Sequence, residues 1–319
     1  MALVIVPPLF QDDGMTTIEA RTDLEARTVV GIDGSQGSEA ALRWCIARED
    51  RLGPIQPILS WQIPWWALAS GTPDVAVPIP IEDIERANEQ KAAEALATVN
   101  TQKLLPVQLL RGAAGPTLVK AAEGKRLLAV GTRGHGAIAD TILGSVSTYC
   151  VNHARIPVAV IPEMKDPDKP AMDIVVGVDG SANADEALAW ALRIRRPGAT
   201  IKVLSTWSFA PYAELGVIGP AADTLEAAAT ALANDSLARA LALDSAADAS
   251  GEDVEIDIVY GDPRSALEEA SRTADLLVIG ATGHRGLTRL LLGSVAAGLL
   301  HKPLCPTVVV PSAREPIAD

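Results

Sequence analysis

The sequence predicts an α/β protein of two successive units, each an open five-stranded parallel sheet with helices on both faces. Three observations predict it. First, Val29-Val-Gly-Ile-Asp-Gly-Ser35 returns as Val175-Val-Gly-Val-Asp-Gly-Ser181, and the offset of 146 carries Trp44 to Trp190 and Trp61 to Trp207. Downstream the offset is 149, taking Leu143-Gly-Ser-Val146 to Leu292-Gly-Ser-Val295. Three extra residues between Trp207 and Gly280 account for the change, and such self-similarity is the mark of a duplicated unit. Second, each copy alternates short, unbroken apolar runs with helical patterns, as strands buried on both faces of a parallel sheet require. Third, 319 residues, 48% hydrophobic and 21% charged, suffice for two cores and exclude a disordered chain.

The elements follow in order. The opening strands are the runs Val29 to Ile32 and Ile174 to Val178. Helices come next, capped by Ser35 or Ser38 in the first copy and by Ser181 in the second, with Trp44 and Trp190 on their apolar faces as core residues. Second strands are expected at Ile55 to Trp61 and Ile201 to Trp207, and long helices at Ile81 to Thr101 and Ala221 to Ala249. Third strands fall near Leu104 to Leu110 and Val254 to Val259, with helices opening at Gly115-Pro116 and Pro263, since proline suits a first turn. Fourth strands, Leu127 to Val130 and Leu276 to Ile279, run into glycine-rich segments. Fifth strands, Val158 to Ile161 and Thr307 to Val310, are opened by Pro157 and Pro306, which suit a sheet edge. The chain thus divides into a tail at 1–27, a unit at 28–163, a linker at 164–172, a unit at 173–312 and a tail at 313–319. Trp65-Trp66, in the proline-rich stretch from Pro64 to Pro80, reads either as packing or as a lid or partner surface.

Composition narrows the function. A net charge of −13 lacks the basic stripe that grips nucleic acid, so neither nucleic acid nor an anionic membrane is expected as a partner. The three cysteines, Cys45, Cys150 and Cys305, show no CxxC spacing, which points to a reducing, cytoplasmic setting. The apolar start of the chain lacks a basic flank and a small-residue cleavage site, so no signal peptide is expected. No uninterrupted apolar stretch is long enough for a membrane-spanning helix.

Ligands of such sheets bind beyond the carboxyl ends of the strands, where strand order reverses. With order 3-2-1-4-5 that point brings the loop after strand one, Asp33-Gly34-Ser35 or Asp179-Gly180-Ser181, opposite the loop after strand four. The latter reads G-x-x-G, nine residues, G-S in both copies: Gly131, Gly134, Gly144-Ser145 and Gly280, Gly283, Gly293-Ser294. Glycines let backbone N–H groups converge on an anion, and the Gly-Ser pair opens a helix whose N-terminal N–H groups and dipole favour phosphate. Asp33 and Asp179 are either caps of the first helix or acceptors for a nucleoside or a hydrated Mg²⁺. His135 and His284 directly follow the second glycine, but no further ligands are spaced for a metal site, so no metal residue is assigned. The P-loop pattern, the dinucleotide G-x-G-x-x-G after strand one and the G-x-S-x-G elbow are all missing, and no catalytic residue is assigned. The pattern suits holding a nucleotide better than transforming one.

With this paired motif the chain resembles the universal stress protein family in its tandem, ATP-binding form, over nearly its whole length outside linker and tails. The resemblance implies Rossmann-like domains, each holding ATP, with Mg²⁺ as its expected companion. The first site it implies comprises Gly31 and Asp33, then Gly131, Thr132, Arg133, Gly134, His135, Gly136 and Ala137, then Gly144, Ser145 and Val146. The second comprises Gly177 and Asp179, then Gly280, Ala281, Thr282, Gly283, His284, Arg285 and Gly286, then Gly293, Ser294 and Val295. It further implies a cytoplasmic, stress-responsive regulator with weak or no ATP hydrolysis, a slow ATPase or phosphotransfer enzyme being the alternative. Association is implied through edge-to-edge pairing of fifth strands, between copies or between the tandem domains. The copies also differ: Arg126 stands where Asp275 precedes strand four, and Gly136 and Asp140 stand where Arg285 and Arg289 do. Unequal affinities are expected, with the more cationic second loop binding the more tightly.

Overall fold

The computed structural model describes residues 27–63, 81–134, 143–209, 220–243, 253–283 and 292–312. The chain separates into two compact units, Met1–Cys150 with Glu163–Asp168, and Val151–Pro162 with Lys169–Asp319. The architecture is α/β, with helices on both faces of mostly parallel strands.

The first unit contains β1 (Thr28–Ile32), α1 (Gln36–Ile46), α2 (Glu49–Leu52), β2 (Ile55–Trp61), α3 (Ile81–Leu96), a 3-10 turn at Thr101–Lys103, β3 (Gln108–Arg111), α4 (Ala114–Ala121), β4 (Leu127–Gly131) and the first turns of α5 (Ser145–His153). Its strands lie in the order β3-β2-β1-β4, all parallel, with Thr28 opposite both Ile55 and Leu127. Val30, Leu127, Leu128 and Ala129 are wholly buried, because a strand covered by helices on both sides has no solvent face to alternate toward. Each such Leu or Val contributes about 1.5–3 kcal/mol on leaving water. Trp44 and Trp190 are core residues, as expected.

The third strand starts later than its apolar run. Leu105 donates its N–H to the Ile55 carbonyl at 2.9 Å, but the register then slips by one residue, from Leu104 opposite Ile55 to Gln108 opposite Ile58, and the ladder resumes only at Gln108. The long helix before it ends at Leu96, and Asn100 caps the separate 3-10 turn. The short α2 has no apolar period that would reveal it. It is held by the Thr28 hydroxyl donating to the Leu52 carbonyl at 2.8 Å and ended by Gly53 at φ +74°.

The second unit contains β5 (Val158–Ile161), β6 (Asp173–Gly177), α6 (Ala182–Ile194), β7 (Thr200–Trp207), α7 (Ala222–Leu243), β8 (Val254–Tyr260), α8 (Pro263–Ser271), β9 (Leu276–Gly280), α9 (Ser294–His301) and β10 (Thr307–Val310). Strands β8-β7-β6-β9-β10 reproduce the expected 3-2-1-4-5 order, in parallel. One strand more belongs here: β5, encoded by the first repeat, lies in this unit and pairs antiparallel with β10, Ala159 opposite Val308. Repeat and compact unit therefore do not coincide, and β10 is an interior strand rather than an edge. Pro306 is tolerated because it stands one residue before the ladder, where its missing N–H costs no sheet bond. Helix α7 is tied to α6 by the buried Asp185 carboxylate, which accepts from Ser236 Oγ and Arg239 Nε, both at 2.6 Å.

The linker is likewise divided. In the first unit, Arg48 donates to the Pro167 carbonyl and Arg43 pairs with Asp168. In the second, Asp275 accepts from Lys169 Nζ at 2.5 Å and from the N–H groups of Met172 and Asp173 at 3.0 and 3.2 Å.

Candidate functional site

In the first unit, the turn after β1 is organised by Asp33. Its Oδ1 accepts from the Ser35 N–H at 2.9 Å and the Ser35 hydroxyl at 2.6 Å, while Gly34 supplies the positive φ of +83°. The cap of α1 is Ser35, whose Oγ accepts from the Ser38 N–H at 3.2 Å. Asp33 is therefore not itself the cap, and its carboxylate is turned toward the loop after β4. A Cβ added to Gly134 would strike Asp33 Oδ2. The second unit repeats this: Asp179 Oδ1 accepts from Ser181 N at 3.1 Å and Ser181 Oγ at 2.6 Å, Gly180 has φ +81°, Ser181 caps α6, and a Cβ on Gly283 would strike Asp179 Oδ2. Asp33 is half-buried and Asp179 exposed.

The glycines divide by what lies against them. Gly31 and Gly177 leave room for Leu118 and Leu267, whose Cδ1 atoms would lie 2.7 and 2.9 Å from an added Cβ, so these positions serve helix packing under the strand. Gly131 sits against backbone, with the Gly37 carbonyl carbon 2.5 Å from where its Cβ would be. At the matching place in the second unit Gly280 meets a side chain first, Asn183 Oδ1 at 2.9 Å, with the Asn183 backbone carbonyl carbon behind it at 3.2 Å. Gly134 and Gly283 are exposed and face the carboxylates, and Gly144 and Gly293 let the chain return over Thr132 and Ala281.

The return closes each loop onto a helix. The Gly144 N–H donates to the Thr132 carbonyl, and the Gly293 N–H to the Ala281 carbonyl, both at 2.7 Å. Ser145 and Val146 thereby open α5, and Ser294 and Val295 open α9, beside the first residues of the loop. In α9 no side chain caps the terminus. Helix N-termini in this state present N–H groups and a positive dipole end to an anion. Arg133 is half-buried and Thr132 buried, while Ala281 and Thr282 are half-buried. His135, Gly136, Ala137 and Asp140, and His284, Arg285, Gly286 and Arg289, lie outside the described residues, as do Trp65 and Trp66.

The sequence pattern did not single out Asn183. Its buried amide accepts from the Thr282 N–H and donates to the Val310 carbonyl, each at 2.9 Å, so it pins the second loop to the end of β10. The signal available was the repeat itself, which puts Gly37 at the matching position. Ser147 Oγ, bonded to the Thr132 and Gly144 carbonyls at 3.2 and 2.9 Å, plays a related part in the first loop.

One expected contrast moves elsewhere. Arg126 and Asp275 precede β4 and β9, at the strand ends opposite the loops. Arg126 donates to the Arg51 carbonyl at 2.7 Å and Asp275 holds the linker, so this difference bears on chain packing and not on ligand affinity. Two concavities also lie elsewhere: one of about 450 Å³ touching Arg43, Val99 and Asp168, and one of about 170 Å³ touching Arg264, Gly298 and Lys302. Among the described residues no cluster of three or more metal-ligating side chains occurs, and no helix is long and apolar enough to cross a membrane.

A family model described as the universal stress protein family matches residues 26–162 and 171–311, taking in both copies of this loop pair. The chain belongs to the universal stress protein family. Its universal stress protein relatives include Rv2005c of Mycobacterium tuberculosis, 31% identical over 299 residues, covering 88% of this chain and 95% of the relative. Another is Rv1996 of the same organism, 28% identical over 312 residues, covering 90% and 96%. Among solved structures, a universal stress protein from Archaeoglobus fulgidus shares the fold with a TM-score of 0.60 and 18% identity, over 91% of this chain and 99% of that one.

Proposed function

We propose that this universal stress protein is an ATP-binding regulator with one nucleotide site in each unit, its occupancy reporting energy or stress state in the cytoplasm. The observation that carries this is the juxtaposition made twice: a carboxylate after the first strand facing the second glycine of the loop after the fourth, beside a helix N-terminus. Such a cradle suits a nucleoside on its carboxylate side and phosphates on its glycine side, where N–H groups approach without a Cβ in the way. Asp33 and Asp179, fixed by Ser35 and Ser181, are the carboxylates within reach of a sugar hydroxyl or of a hydrated Mg²⁺ riding on the phosphates. Phosphoryl transfer needs a positioned nucleophile and charge stabilisation. The described side chains around the loops are a carboxylate already engaged by its own turn, serines, threonines, an asparagine bonded to the chain and one arginine, which supports binding with little or no turnover. Three buried cysteines without disulfides support a reducing compartment.

The test is direct. Nucleotide released by denaturing the purified protein is quantified by chromatography, and the stripped protein is titrated calorimetrically with ATP and Mg²⁺. Two adenine nucleotides per chain are expected, and no binding at millimolar ATP refutes the reading. Gly134→Ala with Gly283→Ala is expected to abolish binding while the far-UV circular dichroism is unchanged, because these glycines are exposed and meet only a carboxylate. Turnover above about 1 s⁻¹, abolished by Asp33→Ala with Asp179→Ala, would instead make the protein an enzyme.

A further inference from the structure

In the second unit three aromatic rings gather at the carboxyl ends of β7 and β8. Trp207 and Tyr260 are the last residues of these strands and register partners, with ring centroids 4.9 Å apart at 62°. Phe209 lies 5.7 Å from Trp207, edge-on at 83°. Packing does not consume this cluster: Tyr260 is 60% exposed and Phe209 37%. Along the same sheet edge the strands run β8-β7-β6-β9, and the Val178 N–H bonds the Leu204 carbonyl at 2.9 Å, which seats the Asp179 turn beside the end of β7. Aromatic rings, carboxylate turn and glycine loop thus stand in line across three strand spacings, about 14 Å at ~4.8 Å each. A nucleotide carries a planar base, a hydroxylated sugar and a polyanion in that same sequence.

The first unit lacks this. Trp61, the counterpart of Trp207, is buried, and the guanidinium of Arg111 lies 6.0 Å from its ring, at the position Tyr260 takes in the second unit. Ile63 replaces Phe209. The face that a base would use is there occupied by a cation. Resting on the nucleotide reading above, we propose that Trp207, Phe209 and Tyr260 form a stacking platform for the base of the nucleotide in the second unit. The first unit holds its ligand without this aromatic platform, so the two sites differ in what they read: the second the presence of a base, the first a phosphate chain. Base–aromatic stacking tolerates any base because every base has a π-face, so the platform selects nucleotides over base-free polyphosphates and not one base over another.

The experiment uses the full chain labelled with 3-fluorotyrosine. The sequence has three tyrosines, and the Tyr260 fluorine resonance is assigned by its loss in Tyr260→Phe. Saturating ATP is expected to shift that resonance by ring current, and tripolyphosphate to leave it in place. Tyr260→Ala, at an exposed position that does not threaten folding, is expected to weaken ATP at one of the two calorimetric sites roughly 5- to 150-fold, with tripolyphosphate affinity unchanged. ATP binding with the Tyr260 resonance unmoved overturns the platform and leaves the nucleotide reading standing. Equal losses for ATP and tripolyphosphate in Tyr260→Ala overturn it too, since they mark a general structural effect. If neither ligand binds, the nucleotide reading itself has failed.

Discussion

Gly131 and Gly280 occupy equivalent places in the two glycine loops, yet alanine there is expected to have unequal consequences. An alanine Cβ at Gly131 would lie 2.5 Å from the Gly37 carbonyl carbon, 2.6 Å from its oxygen and 2.9 Å from its Cα. Van der Waals contact between such atoms needs about 3.5 Å, so roughly 1 Å must be found. Every obstructing atom is backbone in the first turn of α1, which cannot rotate away. Overpacking costs typically 1–3 kcal/mol, and a clash with helix backbone belongs at the upper end, about 3 kcal/mol. At Gly280 the nearest obstruction is the Asn183 amide, with Oδ1 at 2.9 Å and Cγ at 3.0 Å, while the Asn183 backbone carbonyl carbon, at 3.2 Å, asks for a shift of only a few tenths of an ångström. That side chain can swing aside, losing its bonds to Thr282 and Val310 at about 1 kcal/mol each, near 2 kcal/mol in all. Urea denaturation of the full chain, followed by far-UV circular dichroism, reads the difference. With a slope of about 2 kcal/mol per molar, Gly131→Ala should lower the midpoint of the affected transition by about 1.5 M and Gly280→Ala by about 1 M. A Gly131→Ala midpoint within about 0.3 M of the parent would refute the argument, and would mean that this glycine serves only the ligand.

Asp275 offers a pH-dependent counterpart. Its burial works to raise the carboxyl's pKa, but the Lys169 hydrogen bond and the N–H groups of Met172 and Asp173 outweigh this and hold it below the usual carboxylate value. The stability it contributes is present above the unfolded-chain pKa and is lost as pH falls through the lower folded value. Asp275→Ala should therefore cost about 1–2 kcal/mol at neutral pH, solvent screening included, and that deficit should vanish in acid, as urea midpoints at several pH values would show. Burial pushes the Cys45, Cys150 and Cys305 thiols up to about 12, so the native protein should not react with a thiol reagent at pH 8 and should yield three thiols in denaturant. Rapid labelling of the native chain would contradict their placement. Ser181→Ala removes the cap of α6 and should cost about 1 kcal/mol, read as a lowered thermal midpoint.

Much of this fold was legible because its strands are buried on both faces, which writes them into the sequence as unbroken apolar runs such as Leu127–Val130 and Leu276–Ile279. The repeat then doubled every signal, and Ser35 and Ser181 emerged as caps of equivalent helices. What pattern could not supply is the partner of each residue. The late start of β3 depends on a one-residue slip of register between Leu104 and Gln108, within a run that carries no sign of it. The glycine spacing marked the loops but not the tasks within them: Gly31 and Gly177 make room for leucines, Gly131 for a helix, and Gly134 for a carboxylate. Asn183 escaped notice because asparagine early in a helix is unremarkable until the Thr282 N–H is seen against it. The contrast between Arg126 and Asp275 was visible in the sequence, but only the position of these residues at the far strand ends shows that it concerns chain packing, against α2 for Arg126 and against the linker for Asp275.

The pairing of β5 with β10 bears on how this chain can be taken apart. Val158–Ile161 comes from the first repeat but completes the second unit, and all four of its side chains are buried. A gene cut at the linker would separate these partners. The piece ending after the first repeat would carry Val-Ala-Val-Ile with no β10 to cover it, and the other piece would expose Thr307–Val310 along its length. Unpaired apolar strands of this kind recruit whatever strand is nearest, including that of an identical molecule. Each half expressed alone should thus be a dimer or an aggregate, whereas the two halves co-expressed should reassemble as a one-to-one complex. In evolutionary terms the fused gene secures at a high effective concentration, on the order of millimolar for a short linker, a pairing that two separate chains would have to find by diffusion. It also frees the repeats to diverge, so that Arg111 and Tyr260 can face the same problem with different chemistry while neither half is obliged to recognise its own copy.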